Sequence, residues 1–235
     1  MIETGRKLTP RTGEAGIWWL GQATVALRGA RANVLVDPFL SPHPDRLVPP
    51  PFEPCQVGGL DAVLCTHEHL DHFDAEALPE LAETSADAVI VVPEPMIDAV
   101  VALGIDPSRV VGAQPGRSIE LEGLSIHPVP ACHGIEPGDA YTFGRELSNG
   151  LFRYLGYVVD LGGVRVYHAG DTIPFDGLEE QLRELAIDVA LLPINGRDAE
   201  RETQGIVGNM DAREAAYVAD AAGADVVIPI HFDMF

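Results

Sequence analysis

The sequence predicts a layered α/β domain, and three observations carry that expectation. Short apolar runs, β-branched in most cases, recur along the chain and stop abruptly in polar residues: DAVLCTHEH from residue 61, LSIHPVPACHG from 124, VRVYHAGDT from 164, DVALLPINGR from 188 and DVVIPIHFD from 225. Each reads as a buried strand that delivers side chains at its C-terminal end. Stretches of helical period lie between them, and two further segments read as hairpins, so the sheets should mix parallel and antiparallel neighbours with helices on their outer faces.

Taken in order, residues 24–37 (TVALRGARANVLVD) alternate around a Gly-containing turn and form the first expected hairpin. The Pro-rich piece 43–54 (HPDRLVPPPFEP) reads as a surface loop. Helices are expected at 75–83, where Pro79 sits inside, at 95–103, at 178–185 and at 211–222, the last opening on an Asp211-x-x-Glu214 capping box. A second hairpin is expected at 156–167 around Gly162-Gly163. With no repeat, low-complexity tract or linker, residues 1–235 read as one domain.

Composition narrows the function. Fifteen basic residues against thirty-six acidic ones give a net charge of −21, which repels a phosphate backbone, so long nucleic acids are not expected partners. No apolar run approaches the roughly 20 residues that span a bilayer, and the opening MIETGRKLTPRTGEAG has no apolar signal core, so neither membrane nor export is expected. Cys55, Cys65 and Cys132 are odd in number and scattered, which suits a reducing, cytoplasmic compartment rather than a disulfide framework.

The decade CTHEHLDHFD, residues 65–74, concentrates three histidines and three acidic residues. In extended backbone His67 and His69 point to the same side and can converge on one point beyond the strand, while Asp71 and His72 follow at the turn and can face a second point close by. Divalent ions take imidazole nitrogen and carboxylate oxygen at about 2.0–2.2 Å, and paired catalytic metals sit about 3.5–4 Å apart, so the spacing suits two cations. His133, Asp171 and His231 close other strands and are candidates for the remaining ligands. His127 reads as structural. His168 is either structural or a hydrogen-bonding support for a ligand, and Asp37 either orients a ligand histidine or starts an Asp-Pro turn.

Taken together, His67-x-His69-x-Asp71-His72, the separate His133, Asp171 in Gly-Asp-Thr and the late His231 are similar to the metallo-β-lactamase superfamily. The wording LLPINGRD at 191–198, NMDAREAA at 209–216 and IPIHFDMF at 228–235 resembles the branch that contains L-ascorbate-6-phosphate lactonase. The resemblance implies a four-layered αβ/βα sandwich of two mixed sheets with helices outside. It implies His67, His69 and His133 on one metal, Asp71, His72 and His231 on the other, and Asp171 bridging. One departure is that the chain ends four residues after His231, where family members continue into a further helix, and this predicts a less firmly held His231.

The implied activity is hydrolysis by water that two divalent ions, Zn²⁺ or Mn²⁺, acidify to hydroxide, with Asp71 as the catalytic carboxylate that orients the water or passes a proton. A lactonase acting on a small sugar-acid lactone, phosphorylated or not, is the first expectation, and a phosphodiesterase acting on a small cyclic or lipid phosphodiester is the alternative. Asn195 and Arg197 follow a strand end and are expected to bind an anionic small-molecule substrate, although Arg197 also suits an ion pair with Asp198 or Glu200. The Gly-rich segment 134–153 reads either as a lid over the site or as a contact between copies in a homo-oligomer.

Overall fold

Two six-stranded mixed sheets form the centre of the molecule in a computed structural model that describes residues 9–234. Residues 1–8 of the polar opening segment, and residue 235 at the end of IPIHFDMF, lie outside the described residues. In chain order the strands are β1 Gly16–Trp19, β2 Val25–Arg28, β3 Asn33–Val36, β4 Ala62–Leu64, β5 Val89–Pro93, β6 Val110–Ala113, β7 Ile119–Leu121, β8 Leu124–Pro130, β9 Leu155–Asp160, β10 Arg165–His168, β11 Val189–Pro193 and β12 Val226–Ile230. The helices are α1 Ala77–Thr84, α2 Ile97–Ala102, α3 Leu178–Glu184, α4 Ala199–Thr203 and α5 Ala212–Ala222.

The first sheet runs β1-β2-β3-β4-β5-β6 and the second β12-β11-β10-β9-β8-β7. Both expected hairpins form: β2 pairs antiparallel with β3, and β9 with β10. Strands β3 to β6 are parallel neighbours, as are β10, β11 and β12. Because β8 and β10 both run antiparallel to β9, they point the same way, so the C-terminal ends of β8, β10, β11 and β12 share one edge.

Strand alternation builds the layers. In β3, Val34 and Val36 face the interior between the sheets with Leu64, Tyr157 and Leu191, while Leu35 faces outward to a second core with Leu78, Leu81 and Val100 from α1 and α2. On the far side Val158, Ala190 and Leu192 pack under Leu178 and Leu182 of α3 and Val218 of α5. The result is helix, sheet, sheet, helix, the sandwich that the sequence resemblance implied.

Boundaries shift for local reasons. Helix α1 starts two residues later than expected, and Pro79 falls in its first turn, where its missing N–H has no intrahelical partner to lose. The expected 95–103 helix begins as a 3₁₀ turn, Glu94–Met96, before α2. The capping box on α5 forms, with Asp211 accepting from the Arg213 and Glu214 N–H groups. Strands β1, β5, β6 and β7 have no counterpart among the expected elements. No helix of the described residues is long and apolar enough to cross a membrane.

Candidate metal centre

The seven expected side chains meet at the shared sheet edge. His67, His69 and His133 gather with Asp171 in one group, and Asp71, His72 and His231 in another, with donor atoms within 4.8 Å of one another in each. The convergence of His67 and His69 is not the extended-strand geometry read from the sequence. Strand β4 ends at Leu64 and the backbone then bends, with the His72 and Phe73 N–H groups both donating to the His69 carbonyl. The rings therefore meet through different nitrogens, His67 Nε2 lying 2.9 Å from His69 Nδ1.

Each ring is turned by a contact on its far side. His69 presents Nδ1 because its Nε2 reaches the Ile135 carbonyl at 3.2 Å. His72 presents Nε2 because its Nδ1 lies 2.7 Å from Asp37 Oδ2. Asp37 is fully buried and also accepts from the Thr66 N–H and hydroxyl at 2.7 and 2.8 Å, so it orients a site histidine as one of its two sequence readings held. His231 is only 4% exposed and its N–H donates to the Gln22 carbonyl at 2.9 Å, so it is firmly held, against the looser hold expected from the sequence.

Donor spacing tests whether cations fit. Ligands about 2.0–2.1 Å from a tetrahedral centre lie roughly 3.3 Å from one another. His133 Nε2 is 3.2 Å from His69 Nδ1 and 3.5 Å from Asp171 Oδ2. The other Asp171 oxygen, Oδ1, is 3.2 Å from His72 Nε2 and 3.1 Å from His231 Nε2, and Asp71 Oδ2 is 3.2 Å from His231 Nε2 and 3.6 Å from His72 Nε2. Asp171 thus turns one oxygen to each group. His72 Nε2 and Asp171 Oδ1 are buried without a hydrogen-bond partner, as expected of atoms built to bind something else. The donor set fits divalent cations.

Electrostatics differ between the groups. Burial and the neighbouring imidazoles hold His67 well below its usual pKa, and burial lowers His133 to about 3, so both offer neutral lone pairs. Burial acts the same way on His231 and His72, but Asp171 and Asp71 outweigh it, carrying His231 up to about 10 and His72 well above its usual value. Burial raises the two carboxylates, yet His72 and His231 hold both below the usual range.

The other sequence candidates fall elsewhere. Arg197 grips Glu214 with two 2.6 Å contacts and donates to the Asn209 carbonyl, so its partner is neither Asp198 nor Glu200 and its fork is already engaged. Asn195 accepts from Asn209 at 3.0 Å; neither Asn195 nor Arg197 hydrogen-bonds to any of the seven among the described contacts. His168 is buried, 2.7 Å from the Ala23 carbonyl through Nε2, and accepts the Gly170 N–H through Nδ1, so it supports the turn carrying Asp171 rather than a ligand side chain. His127 is half-buried in β8, and His43 lies near Asp45.

Three residues at the site escaped sequence reading. Gln22, between β1 and β2, donates to Asp71 Oδ2 at 2.8 Å. Asp74 is buried and accepts from the Leu40, Ser41 and Ala77 N–H groups, tying the start of α1 to the loop after β3; an aspartate three residues ahead of a helix was the available signal. Tyr154 sets its ring edgewise to His67 and His133, with its hydroxyl on Asp139. The 134–153 segment borders the centre through Ile135 and Asp139, and Arg153 pairs with Glu68. A cavity of about 840 Å³ is lined by residues of this segment itself, Asp139, Tyr141, Phe143 and Arg145 among them.

Residues 32–232 match the model of the beta-lactamase superfamily domain. The chain is 33% identical to a UPF0173 metal-dependent hydrolase of Rubrobacter xylanophilus, over 95% of this chain and 84% of that protein. It is 27% identical to the Escherichia coli O127:H6 protein named "Probable L-ascorbate-6-phosphate lactonase UlaG", over 95% of this chain and 71% of that one. Among solved structures it superposes on Igni18, a metallo hydrolase of Ignicoccus hospitalis, with TM-score 0.67 and 25% identity, covering 93% of this chain and 83% of that one. The chain belongs to the metallo-β-lactamase superfamily of metal-dependent hydrolases. Within it, the UPF0173 hydrolases are among its relatives, and the UlaG branch is a more distant one.

Proposed function

We propose that the protein is a lactonase that opens a small anionic lactone, using two divalent cations, Zn²⁺ or Mn²⁺. The observation that carries the reading is the split of Asp171 between two complete donor groups, His67, His69 and His133 on one side and Asp71, His72 and His231 on the other. The 27% identity to a lactonase supports the choice of a cyclic ester as substrate. When bound, such cations polarise a carbonyl and bring the pKa of water toward about 7.

The chain's own residues do the rest. Asp37, Thr66 and the Ile135 carbonyl fix the imidazoles in place, which keeps the donor geometry constant through the reaction. Asp71 has 14% of its side chain exposed against 5% for Asp171, so it is the carboxylate nearer solvent. Its Oδ2 is held by Gln22, which leaves Oδ1 to take a proton from the attacking water and deliver it to the departing alkoxide. Anion recognition by Asn195 and Arg197 requires Arg197 to release Glu214.

The test is proton release, read with a pH indicator, when metal-stripped and Mn²⁺-reloaded protein meet a sugar-phosphate lactone, with His67→Ala as control. Acid production that needs metal and is lost in the variant is the expected result. Acid at the spontaneous rate in all samples overturns the lactonase reading, and turnover of bis-p-nitrophenyl phosphate by the same protein would replace it with the phosphodiesterase one.

A further inference from the structure

Gln22 is a strained, buried amide at the side of the centre that faces Asp71 and His231. It is 1% exposed and holds φ at +49°, a left-handed conformation uncommon for a residue with a Cβ. Several contacts hold it there. Its N–H donates to Asp233 at 2.7 Å, and its carbonyl accepts from both Trp19 Nε1 at 2.8 Å and the His231 N–H at 2.9 Å. The segments around residues 19–22 and 231–233 are thereby joined through the backbone of one residue.

The side chain is as constrained as the backbone. Nε2 donates to Asp71 Oδ2 at 2.8 Å and lies 3.3 and 3.4 Å from the two ring nitrogens of His231, so it rests against that ring rather than on one lone pair. The amide cannot be turned round, because its oxygen would then face the Asp71 carboxylate. Oε1 is buried and has no partner among the described atoms.

We propose that Gln22 is a positioning residue for the second cation: its Nε2–H fixes Asp71 Oδ2 and packs against the His231 ring, so that one amide sets two of that cation's three own ligands. The inference rests on the two-cation reading.

Metal-stripped protein titrated with Mn²⁺, followed by calorimetry and by the electron paramagnetic resonance of free Mn²⁺, reads the two sites separately from turnover. Gln22→Met, close in shape but without hydrogen bonds, is expected to weaken the second Mn²⁺ 10- to 100-fold and leave the first unchanged. On an Asp71→Asn background the same change should have much less effect, since the contact it removes is already altered. Should Gln22→Met not fold, Gln22→Asn withdraws the amide by one methylene with less disturbance and should weaken the second site in the same direction. Wild-type protein that binds one Mn²⁺ overturns the two-cation reading. Two sites of wild-type affinity in the variant, or equal weakening of both, overturn the role of Gln22.

Discussion

Replacing Asp37 by Asn tests the claim that ring orientation, and not only ligand identity, makes the centre. Asp37 has φ +46°, a conformation Asn tolerates, so the substitution adds no backbone strain. The amide keeps an oxygen for the Thr66 N–H but turns an NH₂ toward His72 Nδ1, 2.7 Å from the present Oδ2. His72 must then accept at Nδ1 and carry its proton on Nε2, which faces Asp171 and Asp71. The metal-free fold loses one charge-assisted hydrogen bond, about 1.5–3 kcal/mol, part of which the protonated Nε2 recovers from the carboxylates. A cation in the second group needs Nε2 free with the ring's remaining proton on Nδ1, a tautomer that the wild-type carboxylate stabilises and the Asn amide opposes, so its affinity should fall 10- to 100-fold, or about 1.4–2.7 kcal/mol. Urea unfolding of the stripped protein and calorimetric Zn²⁺ titration separate the two costs. Wild-type affinity for both cations in Asp37→Asn would refute the argument that the second group is set from behind by this carboxylate.

Four further outcomes follow from the same geometry. The carboxylates carry His231 up to about 10 and push His72 in the same direction, so loading the second group of stripped protein at pH 7 should release protons, seen as a buffer-dependent enthalpy in calorimetry. Stripped protein should be most stable near pH 6.5. The contribution of His231 is complete below its unfolded value of 6.5 and lost as pH rises through about 10, while His133, lowered to about 3, makes stability fall below pH 6.5, so melting temperature should drop on both sides. Gly170→Ala would place a methyl 2.8 Å from the Leu155 carbonyl oxygen and from Thr66 Cβ at φ +60°, which should cost about 1–3 kcal/mol and lower the melting temperature by about 2–4 °C per kcal/mol. Arg197→Ala removes a half-exposed pair with Glu214 and should cost only about 0.2–1 kcal/mol with KM unchanged; a several-fold rise in KM would instead show that Arg197 leaves Glu214 for the substrate.

What the sequence made legible was local or carried by strand ends. The HxHxDH decade announced itself because its ligands lie within six residues, and the apolar runs ahead of His133, Asp171 and His231 fixed which edge they would reach once β8, β10 and β12 pointed the same way. Expecting extended backbone at His67 and His69 brought the right residues together for the wrong reason, since the backbone bends after β4 and the ring nitrogen His69 presents is set by the Ile135 carbonyl behind it. Strand β5 was missed although its residues are β-branched, because a five-residue apolar run has no period to separate it from a buried helical turn.

Among partners set only by tertiary approach, Asp37 alone of those described at the site had a signal, its place at a strand end. Arg197 and Glu214 are 17 residues apart, which no i to i+4 rule connects, and the position after a strand end that suggested substrate contact describes direction rather than availability. Gln22 and His231 are 209 positions apart, and a glutamine between two strands resembles any polar loop residue until the far end of the chain folds onto it. The general reason is that ligand identity is constrained by the chemistry of the cation, which admits few residue types, whereas the orientation of a ligand can be fixed by any donor or acceptor that arrives at the right point. A carbonyl does it for His69, a carboxylate for His72 and an amide for Asp71. Three different groups doing the same task leave no common pattern in sequence, so the supports of such a centre have to be found in space.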